Sequence, residues 1–367
     1  MSLVLAHISD LHVSRFGEHV TSLRTRAMHG TRAKEGKPWE LLGRAAGWRI
    51  EHQAHTIRLV DDFGIVHATR RCKPSEHDDM LAQLSMLALE RTRTEHSRLA
   101  ARLPSQLEVE QLLVEDPGNT NLLFCRLAHR LRVEQPDWIV LTGDVTDDGV
   151  GYDLVLAGLA PFVARGRVLA IPGNHDIYDS PWLVVPGHAR KKRVDKRAAF
   201  SRFAADLGLP PTWPWVRELA DGIVMCGLDS CLPARTPLSA SGAIDPAALT
   251  QLRDELAALP EGACKLAMLH HHVVNPPTRA IGIAPLQLGL RLRNARQMYD
   301  WFCQERFAGV FNGHRHLGYR YHPSHAPLFV SAPSSTLGCR SGAAPGPFYW
   351  RVEIVDRQIR SVTERKI

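Results

Sequence analysis

Val168-Leu169-Ala170-Ile171-Pro172-Gly173-Asn174-His175-Asp176 is a short apolar run that stops in a glycine followed by an amide, an imidazole and a carboxylate. Four apolar residues closed by Pro and Gly fit a buried strand, and Gly173 permits a tight turn after it. The pattern recurs along the chain. Residues 3–8 run into Ser9-Asp10-Leu11-His12, residues 138–141 into Thr142-Gly143-Asp144, and residues 223–226 into Gly227-Leu228-Asp229-Ser230. Residues 266–269 precede His270-His271-His272, and Val310-Phe311 precedes Asn312-Gly313-His314-Arg315-His316. Helical patterns lie between these runs. Leu122, Leu123, Leu127 and Leu131 recur at helix spacing and stop at Pro136, and a second pattern runs from Asp245-Pro246 to Leu259-Pro260. Such alternation predicts an α/β core with functional groups at the carboxyl ends of strands.

Residues 13–110 break the alternation. Residues 13–72 hold eleven Lys/Arg against six acids. Residues 48–60 and 65–70 read as a hairpin turning at Asp61-Asp62-Phe63-Gly64. Residues 74–103 read as one long amphipathic helix closed by Pro104, and Ser105 with Glu108 forms a capping-box pattern that opens the next. The expected organisation is a main domain of residues 1–12 and 111–367, with 13–110 inserted as a cap subdomain.

The 367 residues are 44% hydrophobic and 23% charged, which excludes collagenous, coiled-coil and largely disordered classes. No apolar stretch approaches the ~20 residues of a membrane-spanning helix, and Met1-Ser2-Leu3-Val4-Leu5-Ala6-His7 lacks the basic leader of a signal peptide. Seven widely spaced cysteines without a C-x-x-C pair fit reduced thiols in a cytoplasmic protein. The net charge of +7 is a mild bias toward anionic partners. A second basic cluster, residues 190–197, places six cations in eight residues. It reads either as a solvated face or, with segment 13–72, as a contact for anionic lipid or nucleic acid at the periphery of a membrane.

The polar loops belong together. Asp10 and His12 alternate about Leu11, so in extended backbone their side chains share one side, and His314 and His316 repeat this about Arg315. With Asp144, Asn174 and one of the adjacent histidines they form an N/O donor set without thiolate, suited to Mn, Fe or Zn. Seven donors exceed the need of one ion and suit two ions ~3.5–4 Å apart sharing a carboxylate around a phosphoryl centre.

The ordered set D-x-H, G-D, G-N-H-D, H-H and G-H-x-H resembles the calcineurin-like metallophosphoesterase superfamily, over residues 1–12 and about 118–340. The resemblance implies a four-layer αββα sandwich of two mixed β-sheets with flanking helices, here with the inserted cap. It makes Asp10, His12, Asp144 and His316 the ligands of one metal, and Asn174, His270 and His314, with Asp144 bridging, those of the second. A one-residue shift would replace His270 by His271, which otherwise supports the ligands from behind or faces substrate. Arg315, between two ligands, meets either substrate phosphate or solvent. The implied chemistry is attack of a metal-bridging hydroxide on phosphorus, with His175 assisting the leaving oxygen and Asp176 orienting His175.

Residues 269–272, 173–176 and 142–149 look most like the bacterial class III cyclic-nucleotide phosphodiesterase and glycerophosphodiesterase branch, which implies a phosphodiester substrate. The alternative is pyrophosphohydrolysis of a UDP-linked lipid A precursor of the UDP-diacylglucosamine type, for which the insertion would house acyl chains. A nuclease and a non-catalytic scaffold are further alternatives. A scaffold is expected to lose ligands, and here all seven remain.

Overall fold

Each apolar run forms a strand, and the strands sort into two mixed sheets. In the first, β1 (Ser2–Ile8), β5 (Trp138–Leu141), β6 (Val168–Ala170), β13 (Phe348–Val355) and β14 (Gln358–Lys366) take the order β14-β13-β1-β5-β6. Central β1 is parallel to β5 and antiparallel to β13, with Leu5 facing Trp138 on one side and Val352 on the other. The second comprises β7 (Trp215–Ala220), β8 (Ile223–Gly227), β9 (Cys264–Met268), β10 (Gly309–Asn312), β11 (Tyr319–Tyr321) and β12 (Leu328–Ser331), in the order β11-β12-β10-β9-β8-β7. Its four inner strands are parallel, and the two edges are antiparallel. This computed structural model describes residues 2–14, 17, 48–53, 55–61, 66–71, 73–76, 80, 94–147, 149–177, 195–231, 240–274, 291–338 and 346–367.

The sheets meet face to face. The His7 ring of β1 stands edge-on to Phe311 of β10 at 5.1 Å. Trp138 Nε1 donates to the Leu219 carbonyl of β7 at 3.1 Å, and Trp350 Nε1 donates to the Ser331 carbonyl of β12 at 2.7 Å. Leu5, Ile8, Val140, Leu266, Val310 and Phe329 are fully buried in the shared core. At ~1.5–3 kcal/mol for each such side chain, this burial far exceeds any single polar contact in setting the fold.

The helices that enter the same core start and stop on local signals. Helix α1 is Thr94–Ala101 and α2 is Gln106–Glu115, opened by a complete Ser105/Glu108 capping box. Helix α3 (Thr120–Glu134) is capped by Asn119, which accepts from the amides of Asn121 and Leu122, and ends at left-handed Gln135 before Pro136. Then come α4 (Tyr152–Gly158), α5 (Ala160–Val163), α6 (Asn174–Ile177) and α7 (Lys196–Asp206). Helix α8 (Pro246–Ala257) starts behind the Asp245 cap with Pro at its first position, and α9 is Ala295–Gln304. None of the helices among the described residues is long and apolar enough to cross a membrane.

The inserted region differs from its sequence reading. Residues 48–60 do not form one strand: a turn at residue 55 divides them, giving the antiparallel meander β2 (Trp48–Gln53), β3 (Thr56–Asp61) and β4 (Val66–Arg71). Of the expected helix over 74–103, Pro74–Glu76 form a 3-10 turn, residue 80 and α1 are helical, and residues 77–79 and 81–93 lie outside the described residues. The expected boundary at residue 110 falls inside α2, whose Val109 and Leu113 belong to the main core. Both ends of the region are tied at one place. Ser14 N–H donates to Asn121 Oδ1 at 3.0 Å, and Asn121 Nδ2 donates back to the Ser14 carbonyl at 2.8 Å. Cys125, Cys226, Cys231, Cys264 and Cys303 are free thiols.

Candidate metal centre

The site sits where strands of both sheets end. Beyond β1, Asp10 and His12 have φ of 51° and 50°, beyond β5 Asp144 has 50°, and beyond β10 His314 and His316 have 77° and 52°. The side chains therefore do not converge by strand alternation. The backbone turns left-handed at each of these five donors, a conformation disfavoured by roughly 1–2 kcal/mol per residue and tolerated best by Asp, Asn and His. Neighbouring loops hold it there. The Asp10 and His12 amides donate to the Gly143 and Asp144 carbonyls at 3.0 Å, and the His314 amide donates to Asp10 Oδ2 at 2.9 Å. Gly173 is not left-handed, contrary to its reading as a turn glycine. A Cβ there would collide with the Asp144 amide and carboxylate, so the position needs hydrogen for lack of space.

Two clusters of donors result. In one, His12 Nε2 lies 2.9 Å from His316 Nε2, which lies 3.4 Å from Asp10 Oδ1. In the other, His270 Nε2 lies 3.4 Å from Asp144 Oδ2 and 3.1 Å from both Asn174 Oδ1 and His314 Nδ1. Asp144 joins them through a third group with His12 and His175. Apart from His175, whose side chain is 23% exposed, all of these residues are buried.

The donor set fits cations. His270 Nδ1–H donates to the Thr142 carbonyl at 2.8 Å, so Nε2 faces a carboxylate, an amide oxygen and another imidazole and offers them a lone pair only when deprotonated. His12 Nδ1–H donates to Asp147 Oδ1 at 2.7 Å, which turns its Nε2 lone pair toward His316 and Asp10. The buried Nε2 of His314 has no hydrogen-bond partner among the described residues. Acceptors facing acceptors in a dry pocket need positive charge between them. The electrostatics agree. Burial lowers His12, but Asp147, Asp144 and Asp10 push it up to about 9. Burial likewise opposes His270, which Asp144 and Asp10 push up to about 9. Against burial, His316 and His270 hold Asp10 down at about 2, and His270, His175 and His12 hold Asp144 well below the carboxylate range.

Asp147, to which the sequence reading assigned no role, organises this centre. Its Oδ1 lies 2.7 Å from His12 Nδ1 and 2.8 Å from His175 Nδ1, so one buried oxygen orients two imidazoles. Charge alone could not single it out beside Asp148. The expectation that Asp176 orients His175 is corrected. Asp176 accepts at 3.0 Å from the amides of Gly173, Val145 and Thr146 and at 2.8 Å from the Tyr152 hydroxyl. Its carboxylate is turned into the loops and staples the two glycine turns together. Burial and Asp144 raise its pKa, while the three amides lower it.

Of the histidines left open, His270 reaches Asp144. His271 is buried with Nδ1 on Ser230 Oγ at 2.8 Å and Nε2 on the Ala240 carbonyl at 2.9 Å, so neither ring nitrogen is directed at substrate. Arg315 is buried, and its charge bears on His272 and Tyr319. Of the cluster 190–197, residues 190–194 lie outside the described residues; Lys196 is buried and Arg197 pairs with Asp229 at 3.4 Å.

A family model for calcineurin-like phosphoesterases matches residues 113–318, a stretch that includes Asp144, Asn174, His175, His270, His314 and His316. Among solved structures, a dimetal phosphatase from Danio rerio is similar over 96% of this chain and 93% of its own, with 11% identity and a TM-score of 0.45. The purple acid phosphatase PPD1 of yellow lupin, Lupinus luteus, is similar over 67% of this chain and 47% of its own, with 12% identity and a TM-score of 0.44. The phosphopantetheinyl hydrolase of Mycobacterium tuberculosis is similar over 53% and 79%, with 15% identity and a TM-score of 0.35. No curated protein sequence matches this chain.

Proposed function

The chain belongs to the calcineurin-like phosphoesterase family, and from that premise we propose that it hydrolyses a phosphodiester at the paired carboxylate–imidazole clusters. The observation that carries this reading is the convergence of His12 and His270 lone pairs on buried carboxylates, bridged by Asp144. In this reading Asp10, His12, Asp144 and His316 hold one divalent ion. Asp144, Asn174, His270 and His314 hold a second, each ion being Mn, Fe or Zn. When bound, such ions supply Lewis acidity toward phosphoryl oxygens and lower the pKa of water.

The chain's own residues do the rest. Asp147 fixes the His12 ring through Nδ1, as carboxylates commonly do for metal-binding imidazoles. It fixes the His175 ring in the same way. The Asp147 contact at Nδ1 leaves Nε2 of the partly exposed His175 ring as the atom that can pass a proton to a departing alcohol oxygen. Asp176 keeps the loops carrying Asp144 and His175 in register. The choice of a diester rests on the loop sequences 142–149, 173–176 and 269–272.

The test compares bis-p-nitrophenyl phosphate with p-nitrophenyl phosphate, using chelator-stripped protein reloaded with Mn²⁺. Turnover that requires metal and favours the diester is expected, with Asp144→Asn reducing it about 100-fold or more. Wild-type activity in Asp144→Asn would sink the shared-carboxylate assignment. Preference for the monoester would sink the diesterase reading and leave a phosphomonoesterase.

A further inference from the structure

The cluster 190–197 reads as surface charge, yet Lys196 at its end is only 4% exposed. It is the first residue of α7, directly behind the Asp195 cap, whose carboxylate accepts from the Ala198 amide at 3.0 Å. Its Nζ donates to the Asp147 carbonyl at 2.6 Å and to the His175 carbonyl at 3.0 Å. These carbonyls belong to the two residues whose side chains meet at 2.8 Å in the site. One ammonium thus grips the backbone of both partners of that pair from behind. The next residue, Arg197, reaches Asp229 beyond β8 in the other sheet, so the first turn of α7 braces the site from both sheets.

We infer that Lys196 is a positioning residue: by holding the Asp147 and His175 backbones at a fixed separation, it keeps His175 aimed at the leaving oxygen. The inference rests on the phosphoesterase reading above for the reaction, and on the geometry alone for the brace. Hydrogen bonds from an ammonium are about twice as strong as neutral ones. Losing this donor takes a partner from the buried Asp147 carbonyl and from the part-buried His175 carbonyl. A brace of this kind differs from general support of the core, because its loss acts through His175.

Lys196→Met keeps the length of the side chain and removes the donor. In the full Mn²⁺-loaded chain, it is expected to lower kcat on methyl phenyl phosphate about 10–100-fold. The loss on methyl p-nitrophenyl phosphate should be clearly smaller, because p-nitrophenolate leaves without needing a proton. Added to His175→Asn, the substitution should cost nothing further. Equal losses on the two esters, or full additivity with His175→Asn, would overturn the inference. A second measurement needs no activity: hydrogen exchange of the chelator-stripped chain. Lys196→Met should speed exchange in peptides covering 144–149 and 173–177 and leave residues 264–268 of β9 unchanged. Exchange rising everywhere, or nowhere, would overturn the brace. Failure of the wild-type chain to cleave any diester would instead remove the phosphodiesterase reading, and the exchange comparison would still decide whether Lys196 holds the pair.

Discussion

Asp147 accepts from His12 and from His175 with a single oxygen. Removing the charge while keeping the shape weakens both bonds, since charge-assisted hydrogen bonds are about twice as strong as neutral ones. Asp147→Asn should therefore lower kcat on bis-p-nitrophenyl phosphate about 10–100-fold; steady-state kinetics with metal content measured alongside will check this, and a wild-type kcat would remove Asp147 from the mechanism. The structure gathers Asp10, His12, Asp144, Asn174, His175, His270, His314 and His316 in one place, and as candidates they stand out in the sequence, with His271 as the alternative to His270, because each follows an apolar run and chemistry restricts the residue types. Asp147 and Lys196 do not. One acts through a side chain indistinguishable by charge from its neighbour, and the other through contacts with main-chain carbonyls that no residue pattern encodes.

At the scale of elements, the loops after β1, β5 and β10 share one device: a strand ends, and the donor residue takes positive φ. Aspartate and histidine bear that conformation at lower cost than branched residues, so ligand chemistry and backbone geometry select the same side chains. Gly173 has the opposite logic, an ordinary φ in a place with no room for a methyl group. Gly173→Ala should push the Asp144 loop away from α6, destabilise the fold by about 1–3 kcal/mol and weaken metal binding. Urea titration and metal analysis of the purified variant measure both; unchanged values would mean that the loops can separate freely. Helix limits were readable from Ser105, Pro136 and Asp245, because caps and prolines act within one turn. The strand break at residue 55 was not, since residues 48–60 carry no Gly or Pro.

Buried histidines of two kinds set how the whole molecule responds to pH. His12 and His270, pushed up to about 9, hold protons in the folded, metal-free chain that the unfolded chain has released. Their stabilisation is complete below ~6.5 and is lost as pH rises through about 9. His7, His271 and His272 lie at about 3, with burial the main cause, so they stay neutral when folded. The unfolded chain takes up protons below ~6.5, and stability falls from there toward about 3. Chelator-stripped protein should thus be most stable near ~6.5, with losses on both sides. Loading with Mn²⁺ should abolish the alkaline loss and release protons at neutral pH, because ligands bind deprotonated. Denaturation midpoints across pH, and calorimetry in two buffers of different ionisation enthalpy, read these effects. Binding without proton release would place the metal away from His12 and His270.

The inserted region illustrates the same scale. Ser14 and Asn121 hydrogen-bond to one another across it, and Val109 and Leu113 of α2 join the main core. By itself the sequence pointed to the family, the alternation of strands and helices and the candidate donors, because apolar runs, caps and metal-binding residue types are local and act through neighbours a few positions away. Only the tertiary structure decided which histidine of three meets Asp144, that Asp176 faces the loops while Asp147 faces the imidazoles, and that a basic residue 20 positions past Asp176 returns to grip the site. Those outcomes depend on where two sheets bring distant loops together, on steric room at Gly173, and on which buried carbonyl lies within reach of a donor. These are distances in space, and the order of residues along the chain does not contain them.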